Sequence, residues 1–254
     1  MSINDTIKKM RICVIIPTYN NANTLKSVID GCLKWTSSII VVNDGSTDHT
    51  LSILSEYSDK LSIISYTRNK GKGYALKKGF KYARSFGFNY AITIDSDGQH
   101  YPSDIPLFVE AISKKPNSLI VGSRNIAAKN MPSGNTFANK FSNFWFRIQT
   151  LQSLPDTQTG YRLYPLNNMG NLWWLTSRYE AELELLVFAA WHGVKLIPIP
   201  IQVYYFPKSQ RVSHFRPGID FLRISILNTI LCMLAIVYGA PRMFLSELRK
   251  IIGL

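Results

Sequence analysis

The chain has 254 residues, of which 46% are hydrophobic and 18% are charged, and its formal net charge at pH 7 is +13. This length and composition are typical of a folded protein with one large α/β domain or two small ones. The cysteines Cys13, Cys32 and Cys232 are scattered and form no C-x-x-C pair, which argues against a disulfide framework or a zinc site. The cysteine pattern fits a reducing compartment, and the first nine residues are polar and lack the apolar stretch of a signal peptide, so we expect none.

The excess of positive charge favours anionic partners. A basic surface attracts nucleic acid, nucleotides, phosphorylated lipids or an anionic membrane face, and charge alone does not choose among them. The basic residues are spread along the chain and no nucleic-acid-reading motif is present, so we expect no nucleic-acid partner.

Apolar runs of strand length alternate with segments of helical periodicity along the first 95 residues. This alternation predicts an α/β fold, in which a mostly parallel sheet is flanked by helices. A strand containing Pro198 and Pro200 is expected at a sheet edge or in an irregular position, because proline donates no ladder hydrogen bond. The predicted strands span residues 11–17, 39–42, 61–66, 90–94, 119–122 and 196–203. The predicted helices span residues 24–35, 72–86, 102–115, 136–151 and 179–192, with a further short helix around residues 51–54.

Three of the predicted strands end in polar clusters. The clusters are residues 18–20 (TYN), 43–46 (NDGS) and 95–97 (DSD). Ligands of parallel sheets bind beyond the carboxyl ends of the strands, and neighbouring parallel strands end at the same edge. We therefore expect the three clusters to converge on one binding site.

Asp95 and Asp97 are separated by one residue at the end of a strand. Side chains at positions i and i+2 of an extended segment point the same way, so both carboxylates can bind one hard cation. Mg²⁺ and Mn²⁺ favour a few carboxylates together with water and phosphate oxygens, which is the chemistry that holds a nucleoside diphosphate. A turn without metal is the alternative. An EF-hand is excluded, because Gly98 falls at the fourth loop position and Pro106 at the twelfth.

The segment at residues 43–46 predicts a contact with the base or ribose of a nucleotide. Asp44 can accept hydrogen bonds from such a ligand, and Gly45 permits close approach of the backbone. The alternative interpretation, compatible with the first, is a helix start that is capped by Ser46, Thr47 or Asp48.

Residues 68–73 (RNKGKG) form a basic, glycine-rich segment before a helix. It is similar to a phosphate-binding loop. The order of Lys72 and Gly73 does not fit G-x-x-x-x-G-K-[ST], which disfavours a P-loop kinase or ATPase. A solvated lysine face is the alternative interpretation.

Residues 224–241 are uncharged and are flanked by Arg223 and Arg242. This length is at the lower limit for crossing a bilayer, and a helix that lies in the membrane interface fits equally well. The basic flanks favour the anionic cytoplasmic leaflet, so we expect a protein at the cytoplasmic face of a membrane. A buried C-terminal helix is the alternative.

Six short motifs in a fixed order identify a family. They are residues 14–20 (VIIPTYN), 41–48 (VVNDGSTD), 68–73 (RNKGKG), 95–100 (DSDGQH), 121–124 (VGSR) and 156–160 (DTQTG). Together they resemble the family 2 glycosyltransferases with the Rossmann-like GT-A fold, and within them the dolichyl-phosphate mannose synthase and polyprenyl-phosphate glycosyltransferase branch. The resemblance covers residues 11–213. It implies a GT-A domain at residues 1–210, followed by a membrane-associating helical tail at residues 211–254.

The resemblance implies a role for each matching residue. Asp95 and Asp97 would bind the nucleotide through Mg²⁺ or Mn²⁺, with Gln99 close to the metal. Arg124 would contact phosphate, and Asp156 is the candidate base on the acceptor side. The remaining residues assigned to the nucleotide-sugar site are Pro17, Tyr19, Asn20, Asp44, Gly45, Lys72, Ser96 and Arg211.

The implied reaction is inverting transfer of a sugar from a UDP- or GDP-sugar to a polyprenyl or dolichyl phosphate. The alternative is extension of a saccharide chain, for which Asp156 or Glu182 must act as a base. Asn21 and Asn43 stand where many relatives carry acids, which leaves the identity of the donor open. The sequence does not determine the oligomeric state, and a homo-oligomer is one of the alternatives that it leaves open.

Overall fold

A seven-stranded sheet organises the part of the chain that the structure, a computed structural model, describes: residues 2–124, 133–169, 176–206 and 217–245. The strands are β1 (Ile12–Thr18), β2 (Ile39–Asp44), β3 (Ser62–Tyr66), β4 (Tyr90–Thr93), β5 (Leu119–Ser123), β6 (Arg162–Pro165) and β7 (Leu196–Pro200). The helices are α1 (Ile3–Met10), α2 (Ala22–Leu33), α3 (Thr50–Ser55), α4 (Lys72–Ser85), α5 (Ile105–Lys114), α6 (Ser133–Thr150), α7 (Glu180–Trp191) and α8 (Pro217–Leu234).

The strand order is β3-β2-β1-β4-β6-β5-β7. β6 runs antiparallel to both of its neighbours, and the other pairs are parallel. The predicted α/β fold with a mostly parallel sheet is therefore confirmed. β7, which contains Pro198 and Pro200, lies at an edge of the sheet, where missing backbone donors cost least.

The inner strands of the sheet are buried on both faces, as expected for apolar parallel strands, whereas β3 and β7 are only partly buried. Along β1, Cys13 and Ile15 belong to the core cluster on the face covered by α4, α7 and α8, while Val14 and Ile16 belong to the cluster on the face covered by α1, α2 and α5. This alternation follows from the two-residue period of a strand. Helices on both faces leave the carboxyl ends of β1, β2 and β4 as the edge where polar side chains can gather.

Two elements are absent from the sequence prediction. α1 is polar and buries only Ile7, and it is fixed by a capping box between Ser2 and Asp5. β6 carries Arg162, which is fully buried and donates hydrogen bonds to the carbonyl oxygens of Glu182 (2.6 Å) and Thr157 (2.9 Å). Sequence periodicity does not reveal a buried charged residue whose partners are backbone carbonyls of another helix and of the preceding loop, so it does not predict this strand.

α8 packs against α6 and α7 through one side only. Leu227 and Leu231 are buried, and the side-chain amide of Gln149 donates to Oδ1 of Asn228 at 2.9 Å. The helix continues as a π-helical segment at Ala235–Gly239, where a Cβ on Gly239 would lie 2.5 Å from the Trp191 ring. The opposite side of α8 is apolar and exposed.

Candidate active site

A cavity of about 770 Å³ opens at the carboxyl edge of the sheet. The ends of β1, β2 and β4 line it, so the three polar clusters converge as expected. The sequence-predicted residues that line it are Pro17, Tyr19, Asn20, Asp44, Lys72, Asp95, Ser96, Asp97, Gln99, Arg124 and Glu182. Gly45 and Asp156 do not line the cavity, and Arg211 lies outside the described residues.

Asp44, at the end of β2, fixes the loop before α4. Its Oδ1 accepts a hydrogen bond from the backbone N–H of Lys70 at 2.7 Å, and its Oδ2 accepts one from Gly71 at 2.8 Å. Gly45 has φ +69°, and a Cβ there would lie 2.5 Å from the backbone of Arg68. The acid and the glycine therefore act as a pair that brings residues 68–71 to the cavity.

Asn20 ties the loop after β1 to the loop after β2. It has a positive φ of 50°, and its Oδ1 accepts a hydrogen bond from the backbone N–H of Thr47 at 2.7 Å. Of the three candidate caps after β2, Ser46 accepts from the Asn20 backbone (3.0 Å), and Asp48 accepts from the Thr50 N–H at the start of α3 (3.0 Å). These bonds hold the two loops at a fixed separation.

Asn21 and Asn43, which replace acids found in many relatives, have different environments. Asn43, near the end of β2, fixes the turn that follows: its amide donates to Ser65 Oγ, and its Oδ1 accepts from the Ser46 N–H. Asn21 lines the cavity and donates to Ser96 Oγ at 2.8 Å, and its buried Oδ1 has no hydrogen-bond partner among the described residues. Of the two departures, the one at Asn21 therefore faces the cavity.

Lys72 lies between two carboxylates at the floor of the cavity. Its Nζ is 2.6 Å from Oδ1 of Asp95 and 2.9 Å from Oε2 of Glu182. Burial lowers the pKa of Lys72, but the two carboxylates outweigh burial and raise it above its ordinary value. Burial raises the pKa of Asp95, and the Lys72 ammonium outweighs that effect and lowers it. Lys72 and Asp95 are therefore both charged at neutral pH for as long as they remain together.

Gly160 covers this ion triad. A Cβ at residue 160 would lie 2.6 Å from Nζ of Lys72, 2.7 Å from Oδ2 of Asp95 and 2.9 Å from Oε1 of Glu182. The loop before β6 therefore reaches the triad only because residue 160 has no side chain. Oε1 of Glu182 has no hydrogen-bond partner among the described residues and remains available to a ligand.

Asp95, Asp97 and Gln99 provide a set of oxygen donors on one side of the cavity. Oδ1 of Asp97 accepts a hydrogen bond from the backbone N–H of Gln99 at 2.9 Å, which fixes the turn. The described residues contain no group of three or more His, Cys, Asp or Glu side chains placed to hold a metal. Mg²⁺ binds through one or two carboxylates, waters and substrate phosphates, so two carboxylates and an amide fit a cation that arrives with a diphosphate.

His100 follows this turn and is buried at the cavity wall. Burial lowers its pKa to about 4, and the nearby Arg124 and Lys72 cations oppose the raising effect of Asp95. Its ring stacks at a tilt against Tyr161, with 5.3 Å between the ring centroids. His100 is therefore neutral at physiological pH and adds no charge to the site.

Arg124, at the end of β5, is held by Asp156. The Arg124 Nε and Nη2 atoms donate to the two carboxylate oxygens at 2.6 and 2.9 Å, and Oδ1 also accepts from Asn139 at 2.6 Å. Burial raises the pKa of Asp156, but the bonds from Arg124 outweigh it and lower the pKa. A fully buried carboxylate with these partners is a poor proton acceptor. The contacts of Asp156 therefore favour a role in orienting Arg124 over a role as a base.

The cavity also contains residues to which the sequence assigned no individual role. Arg178 and Tyr179 come from the turn before α7, and Gln158 and Thr159 come from the loop before β6. Because β6 was not predicted, only the motif at residues 156–160 indicated that the loop preceding this strand enters the site. The acidic start of α7, which includes Glu182, is the signal that could have directed attention to Arg178.

The mostly parallel sheet, the acidic pair at the end of β4 and the cavity at the carboxyl edge together define a GT-A glycosyltransferase. The model of the family "Glycosyl transferase family 2" matches residues 13–167. The chain belongs to this family and is a family 2 glycosyltransferase.

Curated relatives match most of the chain. An uncharacterized protein of Methanocaldococcus jannaschii is 30% identical in an alignment of 207 positions that covers 78% of this chain and 84% of that protein. The UDP-N-acetylglucosamine–dolichyl-phosphate N-acetylglucosaminyltransferase of Methanococcus voltae is 30% identical over 76% of this chain and 86% of its own length. The undecaprenyl-phosphate mannosyltransferase of Micrococcus luteus is 26% identical over 76% of this chain and 83% of its own length.

Solved structures share the fold. Glucosyl-3-phosphoglycerate synthase from Mycobacterium tuberculosis, in complex with Mn²⁺, UDP-glucose and phosphoglyceric acid, superimposes with a TM-score of 0.66 at 17% identity. The match covers 92% of this chain and 82% of that chain. The same enzyme with Mg²⁺ and UDP gives a TM-score of 0.64 at 18% identity, with the same coverage.

Proposed function

We propose that this chain transfers a sugar, with inversion, from a nucleoside diphosphate sugar to a polyprenyl phosphate at a membrane surface, with the help of Mg²⁺ or Mn²⁺. The observation that carries the proposal is one cavity that joins Asp44 of β2, the acids that follow β4, and Arg124 of β5. The named relatives act on dolichyl or undecaprenyl phosphate, which supports this class of acceptor.

The donor occupies the β2 side of the cavity. Pro17, Tyr19 and Asn20 line this side, and Asp44 has lone pairs left after its two backbone bonds for a base or ribose. The diphosphate then lies toward Asp95, Asp97 and Gln99, which would hold the divalent ion. The ion supplies electrostatic stabilisation of the charge that develops on the leaving diphosphate.

Lys72 also stabilises the charge that develops on the leaving diphosphate. It is a buried cation within ion-pair distance of Asp95, so its charge adds to the field that stabilises the leaving group. Its contact with Glu182 holds the ammonium in place before the donor arrives. Such preorganisation reduces the reorganisation needed in the transition state.

The acceptor occupies the β5 side, where Arg124 lies. A phosphate monoester has a second pKa near 6 and is largely ionised at neutral pH, so it attacks without a strong base. Asp156 fixes the Arg124 guanidinium in one orientation, and the guanidinium would position the phosphate. An arginine held in this way, beside an acid with a lowered pKa, favours a lipid phosphate over a sugar hydroxyl.

The alternative function is extension of a saccharide chain. One observation favours it: Oε1 of Glu182 is buried at the cavity and has no partner among the described residues. A carboxylate oxygen in this position suits the base that a hydroxyl acceptor requires. The second oxygen of Glu182 lies 2.9 Å from Nζ of Lys72, which leaves one oxygen of this carboxylate for the acceptor.

The C-terminal helix supports a membrane location. Leu222–Leu245 is the one span among the described residues that is long and apolar enough to cross a membrane. α8 is anchored on α6 and α7 through Leu227 and Leu231, and its opposite face is apolar. A helix anchored on one side suits a monotopic or peripheral location at the cytoplasmic face, with the outer face in lipid. The exposed apolar residues on this face include Ile219, Leu222, Ile226, Ile230, Met233, Ile236 and Val237.

The decisive experiment follows a labelled sugar into its product. The full chain is incubated with radiolabelled UDP- and GDP-sugars, a polyprenyl phosphate and Mn²⁺, and the product is partitioned between organic and aqueous phases. We expect one donor to label the organic phase in a reaction that EDTA abolishes. Label that enters only aqueous saccharide would contradict the lipid acceptor and support the alternative.

A further inference from the structure

Arg178 is a cation of the cavity that no assigned role explains. It lies in the turn before α7, one helical turn from Glu182, and its side chain is half-buried at the cavity wall. The other two basic side chains in the described lining are already in ion pairs, Lys72 with Asp95 and Glu182, and Arg124 with Asp156. The side chain of Arg178 has no hydrogen bond or ion pair with any described residue. An anion that enters the cavity can therefore bind Arg178 without breaking an existing contact.

Arg178 packs against the loop before α4, at Gly71, which is bound to Asp44. A Cβ on Gly71 would lie 2.7 Å from Cγ of Arg178 and 2.5 Å from the carbonyl oxygen of Ser177. That carbonyl accepts a hydrogen bond from the backbone N–H of Tyr74 at 3.0 Å. The backbone at Ser177 is thus fixed on the first turn of α4, and a glycine with φ +97° at residue 71 makes room for Arg178.

The position of Gly71 indicates which anionic group of a ligand Arg178 can contact. The N–H of Gly71 donates to Asp44, at the end of β2, whereas Arg124 follows β5. β2 and β5 are four places apart in the sheet, which corresponds to roughly 19 Å at about 4.8 Å per strand. Arg178 therefore lies in the donor half of the cavity, between the nucleoside contacts of Asp44 and the Lys72 triad. The anion that spans this region is the diphosphate of the donor.

We propose that Arg178 binds the diphosphate of the sugar nucleotide through its guanidinium and selects diphosphates over uncharged nucleosides. The inference rests on the proposed function. A guanidinium forms paired, charge-assisted hydrogen bonds to phosphate oxygens. Because Arg178 has no competing carboxylate, its full charge is available before the divalent cation is bound. It is a binding residue for the donor and takes no part in orienting the acceptor.

The test compares nucleoside diphosphates with nucleosides. Binding of UDP and GDP to the full chain is measured by calorimetry, and binding of uridine and guanosine is measured by NMR titration. We expect Arg178→Gln to lose about 10- to 100-fold in affinity for the preferred diphosphate, the range expected for hydrogen bonds to a charged group. Nucleoside affinity should not change. Arg178→Lys keeps the positive charge but lacks the paired hydrogen-bond donors of the guanidinium. This variant should lose less diphosphate affinity than Arg178→Gln.

Lys81→Gln is the matched control, because it removes one positive charge from an exposed position of α4 outside the cavity lining. It should bind both ligands as the unmodified chain does. Unchanged diphosphate affinity in both Arg178 variants would overturn the inference, and so would an equal loss for nucleoside and diphosphate. An effect confined to the KM of the lipid acceptor would also overturn it. If the unmodified chain binds neither UDP nor GDP, the proposed function itself fails.

Discussion

Arg124 and Asp156 form a two-point ion pair in which the acid is completely buried, with Nε–Oδ2 and Nη2–Oδ1 distances of 2.6 and 2.9 Å. The pair joins the end of β5 to the loop before β6. It makes Arg124 a rigid group at the proposed acceptor side of the cavity. The acid that the sequence proposes as a base is thus bound on both of its oxygens.

Asp156→Asn should destabilise the fold by about 3–5 kcal/mol, because it leaves Arg124 largely buried without its counter-ion. Urea unfolding measures the loss. Asp59→Asn, an exposed acid away from the cavity, is the control and should change stability little. A variant that keeps its stability and loses only kcat would instead support Asp156 as the base.

The same residue predicts a pH dependence of stability. The pKa of Asp156 is held below its ordinary value of 3.8, so the folded state binds this proton less readily than the unfolded state. Its stabilisation is present above about pH 4 and is lost as the pH falls through the lowered pKa. Urea unfolding of the unmodified chain from pH 7 to pH 3 should show this loss. In Asp156→Asn the acid-induced decrease should be smaller, and an identical decrease in both proteins would contradict the assignment.

Lys72→Met should destabilise the fold by about 3 kcal/mol and abolish turnover, because Asp95 and Glu182 are left close together without their cation. Added Mn²⁺ should raise the melting temperature of this variant more than that of the unmodified chain, since the uncompensated carboxylates attract the ion. Lys81→Met, exposed on the same helix, serves as the control in thermal melts. An equal Mn²⁺ response in all three proteins would show that Lys72 does not compete with the metal.

Asp97→Asn should remove the effect of divalent cations on turnover and on nucleotide affinity, with little change in folding. An asparagine oxygen can still accept the Gln99 N–H bond that fixes the turn. We expect turnover to fall by on the order of 100-fold, which is typical when one group that stabilises transition-state charge is removed. The Mn²⁺-dependent gain in UDP or GDP affinity should also disappear. A variant that retains this gain would place the metal elsewhere.

Gly160→Ala should disrupt the Lys72 triad, because the new methyl group meets atoms of all three charged side chains below 3 Å. We expect a large fall in kcat and a lower melting temperature. Gly218→Ala is the control, since a Cβ there meets nothing within 4 Å. Equal behaviour of the two variants in kinetics and thermal melts would mean that the triad tolerates displacement.

The outer face of α8 should bind membranes. Ile226→Glu combined with Ile230→Glu should shift the protein from the membrane pellet to the supernatant in vesicle sedimentation, because it places two charges on an exposed apolar face (exposed fractions 52% and 45%). Leu51→Glu, on α3 with an exposed fraction of 51%, is the matched control. Sedimentation of the α8 variant at the unmodified level would argue against this face as the membrane contact.

The sequence by itself determined the α/β class, the buried parallel strands and the convergence of the strand-end clusters. These features depend on local apolar periodicity and on the rule that parallel strands end together. The pair Asp95 and Asp97 and the role of Asp44 in the cavity wall could be located in the same way. Local pattern also indicated the edge position of the strand with Pro198 and Pro200.

Only the tertiary structure decided which charges face each other. β6 is inserted antiparallel between β4 and β5, and this topology brings Gly160 onto Lys72 and Asp156 onto Arg124. It also places Arg178 beside Gly71, more than 100 residues earlier in the chain. Ion pairs of this kind join residues that are distant in sequence, so their partners depend on strand order and loop path. No local periodicity or spacing encodes that order, and the chemistry of the cavity follows from it.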